Sequence, residues 1–357
     1  MPAAGYELHT ISVEGMSRTD PLRAIRAVVR ALVAVPRARS LLRELRPDAV
    51  LGGGGYVAGP VGLAALTLRI PLVLTEADSH LGLTNRLLAR GARRVCLAFP
   101  ILGRGDGSGE GRSGEDRSGG DRPEADRSRT GPRYRVTGRP IPVPDADRTG
   151  ARARFEIAEG DTCVLVFGGS LGARSINLAA IEAFAGDESP GAGAAFGGTA
   201  GDEPVAAGRE GVPLRVLHIA GRRDYAELAG RSLPAGYDLR EYLDLDEFAQ
   251  ALAAADLVIA RAGGSVFEIA AYGLPAILVP YPYASADHQT ANARWMAEAG
   301  AAVVIPDGEL SASRLSAQTT VLLADRPRLE GMADASRSLA RPDAAREVAR
   351  ELLEAAS

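Results

Sequence analysis

The sequence predicts an α/β protein built on two parallel sheets, and three observations lead there. Short apolar runs, most of them bounded by glycine or proline, alternate with stretches of helix length, the pattern of repeated βαβ units. At 357 residues the chain is long enough for two domains, each with its own core. Glycine-rich turns follow apolar runs in both halves, where a parallel sheet presents its ligand-facing edge.

The expected strands are 49–51, 72–75, 95–99 and 134–137 in the first half. In the second they are 163–167, 215–219, 257–260, 276–279 and 302–305. The first domain is expected over 1–143 and the second over 144–340, the boundary falling in the proline-stiffened stretch PIPVPDADRTG. Residues 341–357 read as a closing amphipathic helix, with Pro342 suited to its first turn. Two stretches, 103–132 and 186–211, consist largely of Gly, Ser, Arg and acids with little to bury. They read as disordered or flexible insertions.

Composition narrows the function classes. Hydrophobic residues make up 46% and charged residues 24%, as in soluble globular proteins. A formal net charge of -4 gives no reason to expect nucleic acid as a partner. The chain contains no lysine, so every permanent side-chain cation is an arginine. Cys96 and Cys163 each lie in an apolar run and read as core thiols of a reducing compartment. No metal-ligand spacing is read in the chain, and a DxD-like metal pair is read as absent. The N-terminus lacks the pattern of a signal peptide, and no apolar run reaches the ~18–20 residues of a spanning helix. The protein is expected to be soluble, or at most peripheral to a membrane.

Three glycine turns carry the chemistry. VLVFGGSLGARSIN (164–177) is a buried strand, then Gly168, Gly169 and Ser170, then Gly172 opening a helix whose unpaired N–H groups suit an anion. VLGGGGYVAGP (50–60) repeats the design with four glycines and Tyr56, the helix expected to start near Pro60; Tyr56 is a substrate contact or simple packing. RAGGSVFEIAAYGLPAILVPYP (261–282) places Arg261, Gly263, Gly264 and Ser265 before a helix carrying Glu268. That carboxylate can accept both hydroxyls of a ribose, or merely favour the helix dipole. The next loop gathers Asp287, His288, Gln289 and Asn292 after a strand end, a set suited to sugar hydroxyls.

Together, RPDAVLGGGGYVAGP, GLTNRLLA, VFGGSLGARSIN, ADLVIARAGGSVFEIAAYGLPAILVPYP and ADHQTANARWMAEAGAAVVI resemble the MurG family. These are the UDP-N-acetylglucosamine:N-acetylmuramyl-(pentapeptide)-pyrophosphoryl-undecaprenol N-acetylglucosaminyltransferases of peptidoglycan synthesis. The resemblance implies a GT-B fold, two Rossmann-like domains with parallel sheets facing across a cleft. It implies inverting, metal-free transfer from UDP-N-acetylglucosamine (UDP-GlcNAc), a substrate rather than a cofactor, to the muramyl 4-hydroxyl of lipid I, giving lipid II. Carried over by position, it assigns the donor to Gly169, Ser170, Gly172, Leu243, Arg261, Gly263, Gly264, Ser265, Glu268, His288 and Gln289. The acceptor falls to Gly54, Gly55 and Tyr56.

The stretch DPLRAIRAVVRALVAVPRARSLLREL matches the membrane-facing region of that family. On a helix, Leu22, Ile25, Val29 and Leu32 share a face flanked by Arg23, Arg26 and Arg30, which suits an anionic inner leaflet; a core helix with a solvated basic face fits the pattern equally. The implied location is the cytoplasmic face of the cell membrane, with cell-wall synthesis proteins as further partners.

The chain also departs from the family pattern. The family opens with a GGTGGH-like loop ending in a candidate base, and this chain matches only after that first βα unit, so the N-terminal domain is expected to be truncated. The family's HEQN is here TEAD (75–78), Glu76 alone matching, and its NPVR is RPIP (139–142). Asp78 and His80 are the remaining candidate bases, provided that they come within hydrogen-bond reach of the acceptor hydroxyl. Two other readings stay open: a GT-B transferase with another lipid or sugar acceptor, and a sugar-nucleotide-binding protein without turnover that needs a partner.

Overall fold

The computed structural model describes residues 5–11, 13, 21–99, 133–169, 172–185, 212–284 and 287–357, without the side chains of 21–25, 28 and 56. The expected insertions at 103–132 and 186–211, and Ser170, lie outside the described residues. The chain forms two compact units, 1–140 with 343–357, and 141–342.

The first unit opens with α1 (Pro21–Leu45). Ala27, Ala34, Ala38 and Leu42 recur at helical spacing and are buried; Ala38 and Leu42 pack on Ala64 and Ala65. The small side chains let the two helices approach closely. Away from that stripe, Val29, Leu32 and Val33 are 52%, 57% and 71% exposed. Then follow β1 (Val50–Gly52), α2 (Gly55–Leu68), β2 (Leu72–Glu76), α3 (Leu83–Leu88), β3 (Arg94–Leu97) and β4 (Tyr134–Val136). The strands pair in that order, all parallel. Alternate residues go to opposite faces: Leu72, Leu74, Val95 and Leu97 join Leu88 and Ala89, while Val73 and Cys96 face the other way. Helix α2 starts at Gly55, five residues before the expected Pro60. Gly54 and Gly55, at φ 78° and 74°, turn the chain directly from strand to helix. Pro60 then lies inside the helix, where its missing N–H withdraws the usual donor from the Tyr56 carbonyl.

The second unit runs α4 (Arg148–Arg154), β5 (Thr162–Phe167), α5 (Arg174–Phe184), β6 (Leu214–Ile219), α6 (Tyr225–Leu228), β7 (Tyr237–Arg240), α7 (Leu245–Ala254) and β8 (Leu257–Ala260). It continues through α8 (Val266–Ala271), β9 (Ala276–Leu278), α9 (His288–Glu298), β10 (Ala302–Val304), a 3-10 turn (Asp307–Glu309), α10 (Ala312–Ala324) and α11 (Arg326–Leu339). Its sheet is parallel in the order β10-β9-β8-β5-β6-β7, the doubly wound arrangement. The central strands β5 and β8 are almost wholly apolar because both of their faces are covered. Strand β7 is absent from the sequence expectation for the converse reason. It is an edge strand of sequence YDLR in which only Tyr237 is buried, so no apolar run marks it.

At the N-terminal edge of this sheet Arg152 is buried. Its guanidinium donates to the carbonyls of Ala254 (3.0 Å), Ala158 (2.6 Å) and Asp161 (2.7 Å) and to Asp256 Oδ2 (3.3 Å). Asp256 Oδ2 also accepts the Cys163 N–H at 2.8 Å.

The last helix, α12 (Ala344–Ala356), belongs to the first unit. Val348 and Ala355 cover Val73 and Cys96, and Arg94 Nε donates to Glu351 Oε2 at 2.9 Å.

Both cysteines lie in the core as expected. Burial pushes the Cys96 thiol up to about 11 and that of Cys163 up to about 12. Because the thiolate is the nucleophile, iodoacetamide at pH 8 is expected to leave both unmodified in the folded chain and to label both in denaturant. Mass spectrometry of the alkylated protein checks this, and labelling of either thiol in the folded state would contradict it.

Candidate functional site

Strands β5 and β8 are neighbours with Phe167 opposite Ala260, and their helices lead away to opposite halves of the sheet. This is the switch point of the strand order, where parallel sheets open a crevice at their C-terminal edge. Gly168, Gly169 and Gly172 after β5 and the turn at 261–265 after β8 therefore stand side by side. Gly169 and Gly172 have φ of 95° and 83°, and the Gly172 N–H returns to the Gly169 carbonyl at 2.9 Å. A Cβ on Gly172 would stand 2.2 Å from the Ala220 carbonyl oxygen, so only glycine fits there. Helix α5, with Ala173 at its N-cap position, begins without a side-chain cap, and a helix end of this kind suits an anion.

Helix α9 is tied to the second turn. Asn292 Nδ2 donates to the Ala262 carbonyl at 3.0 Å, and Gln289 Oε1 accepts the Tyr281 N–H at 2.9 Å. With its oxygen pinned, Gln289 brings its amide nitrogen to 3.8 Å from where a Gly263 Cβ would lie. His288 opens the same helix and is half-buried, as is Glu268 in the first turn of α8. Ser265 precedes α8 without using its hydroxyl as a cap. Leu243 is buried just ahead of α7, and Phe248 of that helix meets Phe167 edge-on at 5.1 Å. Of the expected donor residues, all except Ser170 thus follow C-terminal strand ends on one edge of the sheet. Arg261 differs from the others, because its guanidinium is turned toward protein acceptors beneath the turns.

A buried polar chain behind these turns is not evident from the sequence. Tyr237 O–H lies 2.7 Å from His218 Nδ1, and His218 Nε2 lies 3.1 Å from Asn177 Oδ1. Asn177 Nδ2 donates to the Ala220 carbonyl (2.8 Å) and Asp224 Oδ2 (3.0 Å). Both amide hydrogens of Asn177 are thereby used, so its oxygen accepts and the His218 proton is on Nε2. Burial lowers the His218 pKa to about 3, which keeps the ring neutral. The network clamps α5 to the loop against which Gly172 closes. Its only sequence signal is a histidine within an apolar strand.

In the first unit, β1 and β2 bring two loops together. A Cβ on Gly54 would lie 3.4 Å from Asn85 Nδ2, which donates to the Thr75 carbonyl (2.9 Å) and Glu76 Oε2 (3.0 Å). Glu76 also accepts the Gly82 N–H (2.8 Å) and the Asp78 N–H (3.3 Å). Glu76 is thus the hub of the loop that carries half-buried Asp78 and His80, and Asn85 sets that loop beside Gly54 and Gly55. The backbone of Tyr56 continues from there into α2; its side chain is outside the described residues, as are those of Arg23 and Ile25. Val29, Arg26 and Arg30 lie on the exposed side of α1.

Contrary to the reading that none is present, two aspartate pairs have D-x-D spacing, Asp145–Asp147 and Asp244–Asp246. Asp147 caps α4, and Asp244 caps α7 in a reciprocal box with Glu247. Among the described residues no three His, Cys, Asp or Glu side chains group as metal ligands. A cavity of about 370 Å³ by β6 and β7 is lined by Arg154, Arg215 and Arg240, each paired with an acid (Glu247, Asp161 and Asp238 respectively). Its charge is spent within the fold.

Comparison with known proteins agrees with this geometry. The glycosyltransferase family 28 C-terminal domain matches residues 163–348, and the family's N-terminal domain matches 1–97. The UDP-N-acetylglucosamine--N-acetylmuramyl-(pentapeptide) pyrophosphoryl-undecaprenol N-acetylglucosamine transferase of Moorella thermoacetica is 38% identical over 355 residues, covering 96% of this chain and 84% of its own. The same-named protein of Alkalilimnicola ehrlichii is 40% identical over 363 residues, covering 100% and 87%. The crystal structure of Acinetobacter baumannii MurG superposes with a TM-score of 0.68 at 29% identity, covering 99% of this chain and 86% of that one. The architecture is GT-B, as the resemblance implies. Matched in both halves and over nearly its whole length, the chain belongs to glycosyltransferase family 28, among the MurG N-acetylglucosaminyltransferases.

Proposed function

We propose that this chain transfers N-acetylglucosamine from UDP-GlcNAc to the muramyl 4-hydroxyl of undecaprenyl-pyrophosphoryl-MurNAc-pentapeptide, lipid I, with inversion, forming lipid II. The observation that carries this is the pair of glycine turns meeting at the switch point of the second sheet, in a chain whose full-length relatives are named for this transfer. The α5 N-terminus faces the donor pyrophosphate, Glu268 the ribose, the backbone near Leu243 the uracil, and His288 with Gln289 the sugar. The acceptor oxygen attacks C1, and the C1–O bond breaks with its electron pair leaving on UDP. The acceptor proton goes to Asp78 or His80 on the loop that Glu76 organises. Amide N–H groups stabilise the leaving diphosphate, and the proposed route uses no metal or other cofactor.

Among the described residues no helix is long and apolar enough to cross a membrane. The exposed Val29, Leu32 and Val33 beside Arg26 and Arg30 support peripheral attachment of α1 to an anionic leaflet on the cytoplasmic face, where lipid I is presented.

Calorimetric titration with UDP-GlcNAc, UDP-glucose and UDP tests the donor assignment. UDP-GlcNAc is expected to bind more tightly than UDP-glucose, and Glu268→Ala to weaken it at least ~10-fold, about 1.4 kcal/mol. Absence of binding by any uridine nucleotide would overturn the reading.

A further inference from the structure

We propose that Arg261, Ser175 and Asp307 act together as a positioning bracket for the nucleoside diphosphate sugar, with Arg261 serving as its strut rather than as a phosphate ligand. This rests on the donor-site reading above. A cation just after β8, two residues before Gly263, looks placed for a phosphate. Its side chain is nevertheless nearly buried and turned away, to the carbonyls of Val279 (3.1 Å) and Pro280 (3.2 Å) at the end of β9. It also reaches Asp307 Oδ1 (2.6 Å) in the turn after β10 and Ser175 Oγ (2.8 Å) in the first turn of α5. Ser175 Oγ donates in turn to the same Asp307 oxygen at 2.7 Å, which closes a three-membered cycle.

The cycle joins the parts of the donor site that no single element holds together. Ser175 is the second residue of α5, so its position sets where the anion-facing end of that helix stands. The 279–281 segment held by Arg261 includes Tyr281, whose ring lies 5.4 Å from the guanidinium and whose N–H pins Gln289. One guanidinium thus fixes the spacing between the phosphate-facing turn of α5 and the amide of Gln289 beside Gly263. Planar, multiply donating arginine suits this task, and a lysine ammonium does not.

The test is titration of UDP and UDP-GlcNAc into the full chain and into Asp307→Asn, Ser175→Ala and Arg261→Lys, well below the melting temperature measured for each. Under the proposal Asp307→Asn raises Kd for both ligands about tenfold and Ser175→Ala about threefold, although neither residue would touch the nucleotide. Arg261→Lys weakens both by at least as much as Asp307→Asn. If Asp307→Asn and Ser175→Ala leave Kd unchanged or tighten it while Arg261→Lys weakens it, Arg261 is a direct phosphate ligand and the bracket is wrong. A lowered melting temperature with unaltered Kd in all three would make the cycle purely structural and equally overturn it. If the unmutated chain binds neither ligand, the donor-site reading fails first and takes the bracket with it.

Discussion

Gly172→Val is expected to abolish donor binding and to cost a large share of the stability of the second unit. Two penalties coincide at this residue. Its φ of 83° is a region that side-chain-bearing residues enter only with strain, roughly 1–3 kcal/mol. An added Cβ would sit 2.2 Å from the Ala220 oxygen, a backbone atom that Asn177 already holds in place, and overpacking of this kind costs a further ~1–3 kcal/mol. Even Gly172→Ala meets both terms, and valine adds branching at the same point. Against a typical domain stability of ~5–15 kcal/mol the sum is large. Gly160→Ala is the control. That glycine has ordinary φ, and a Cβ added there would have nothing within 4 Å, so its replacement is expected to stay within about ±0.5 kcal/mol. Urea denaturation followed by circular dichroism measures both, and near-equal midpoints would refute the packing account.

Arg152→Met is the second large effect. Methionine keeps most of the apolar stem but removes a guanidinium that serves Ala158, Asp161 and Ala254 carbonyls as well as Asp256. Breaking a buried ion pair from one side costs ~3–5 kcal/mol, because the partner charge is left behind. Here the Asp256 side chain is 33% exposed and keeps Arg148 and the Cys163 N–H, so its stranded charge costs less than in a buried pair. The expectation falls below that range, at ~1–3 kcal/mol, much of it from the carbonyls left without a donor. Adding Asp256→Asn should return part of the loss, since the stranded charge is then gone. A double-mutant cycle in urea reads the coupling, and simple additivity would show that the two side chains act independently.

How far the sequence revealed this structure depended on whether a residue's role is written in its neighbours along the chain. Strands such as 257–260 and 163–167 are legible because burial on both faces demands an unbroken apolar run. The turns at 168–172 and 261–265 are legible because close backbone approach demands glycine. Strand β7 is not, since an edge strand with one buried side chain carries no such run. The start of α2 was hidden by Pro60, which commonly opens helices but here stands inside one. The site residues divide in the same way. The types of Gln289 and Glu268 suggest sugar and ribose, whereas the side-chain partners of Arg261 lie 86 residues before it in the chain and 46 after. Likewise nothing near Asn85 or His218 in the sequence announces the contacts that each makes.

The return of α12 to the first unit has a consequence for how the protein is made. The chain passes from the first unit to the second after 140 and comes back after 342. Among the described residues, Val73 and Cys96, translated early, gain the cover of Val348 and Ala355 once those have left the ribosome. At ordinary synthesis rates the intervening stretch takes roughly 10–40 s. The unit begun first is therefore completed last, and throughout that interval the nascent chain carries an unfinished apolar sheet face that is open to chaperones or to misassembly.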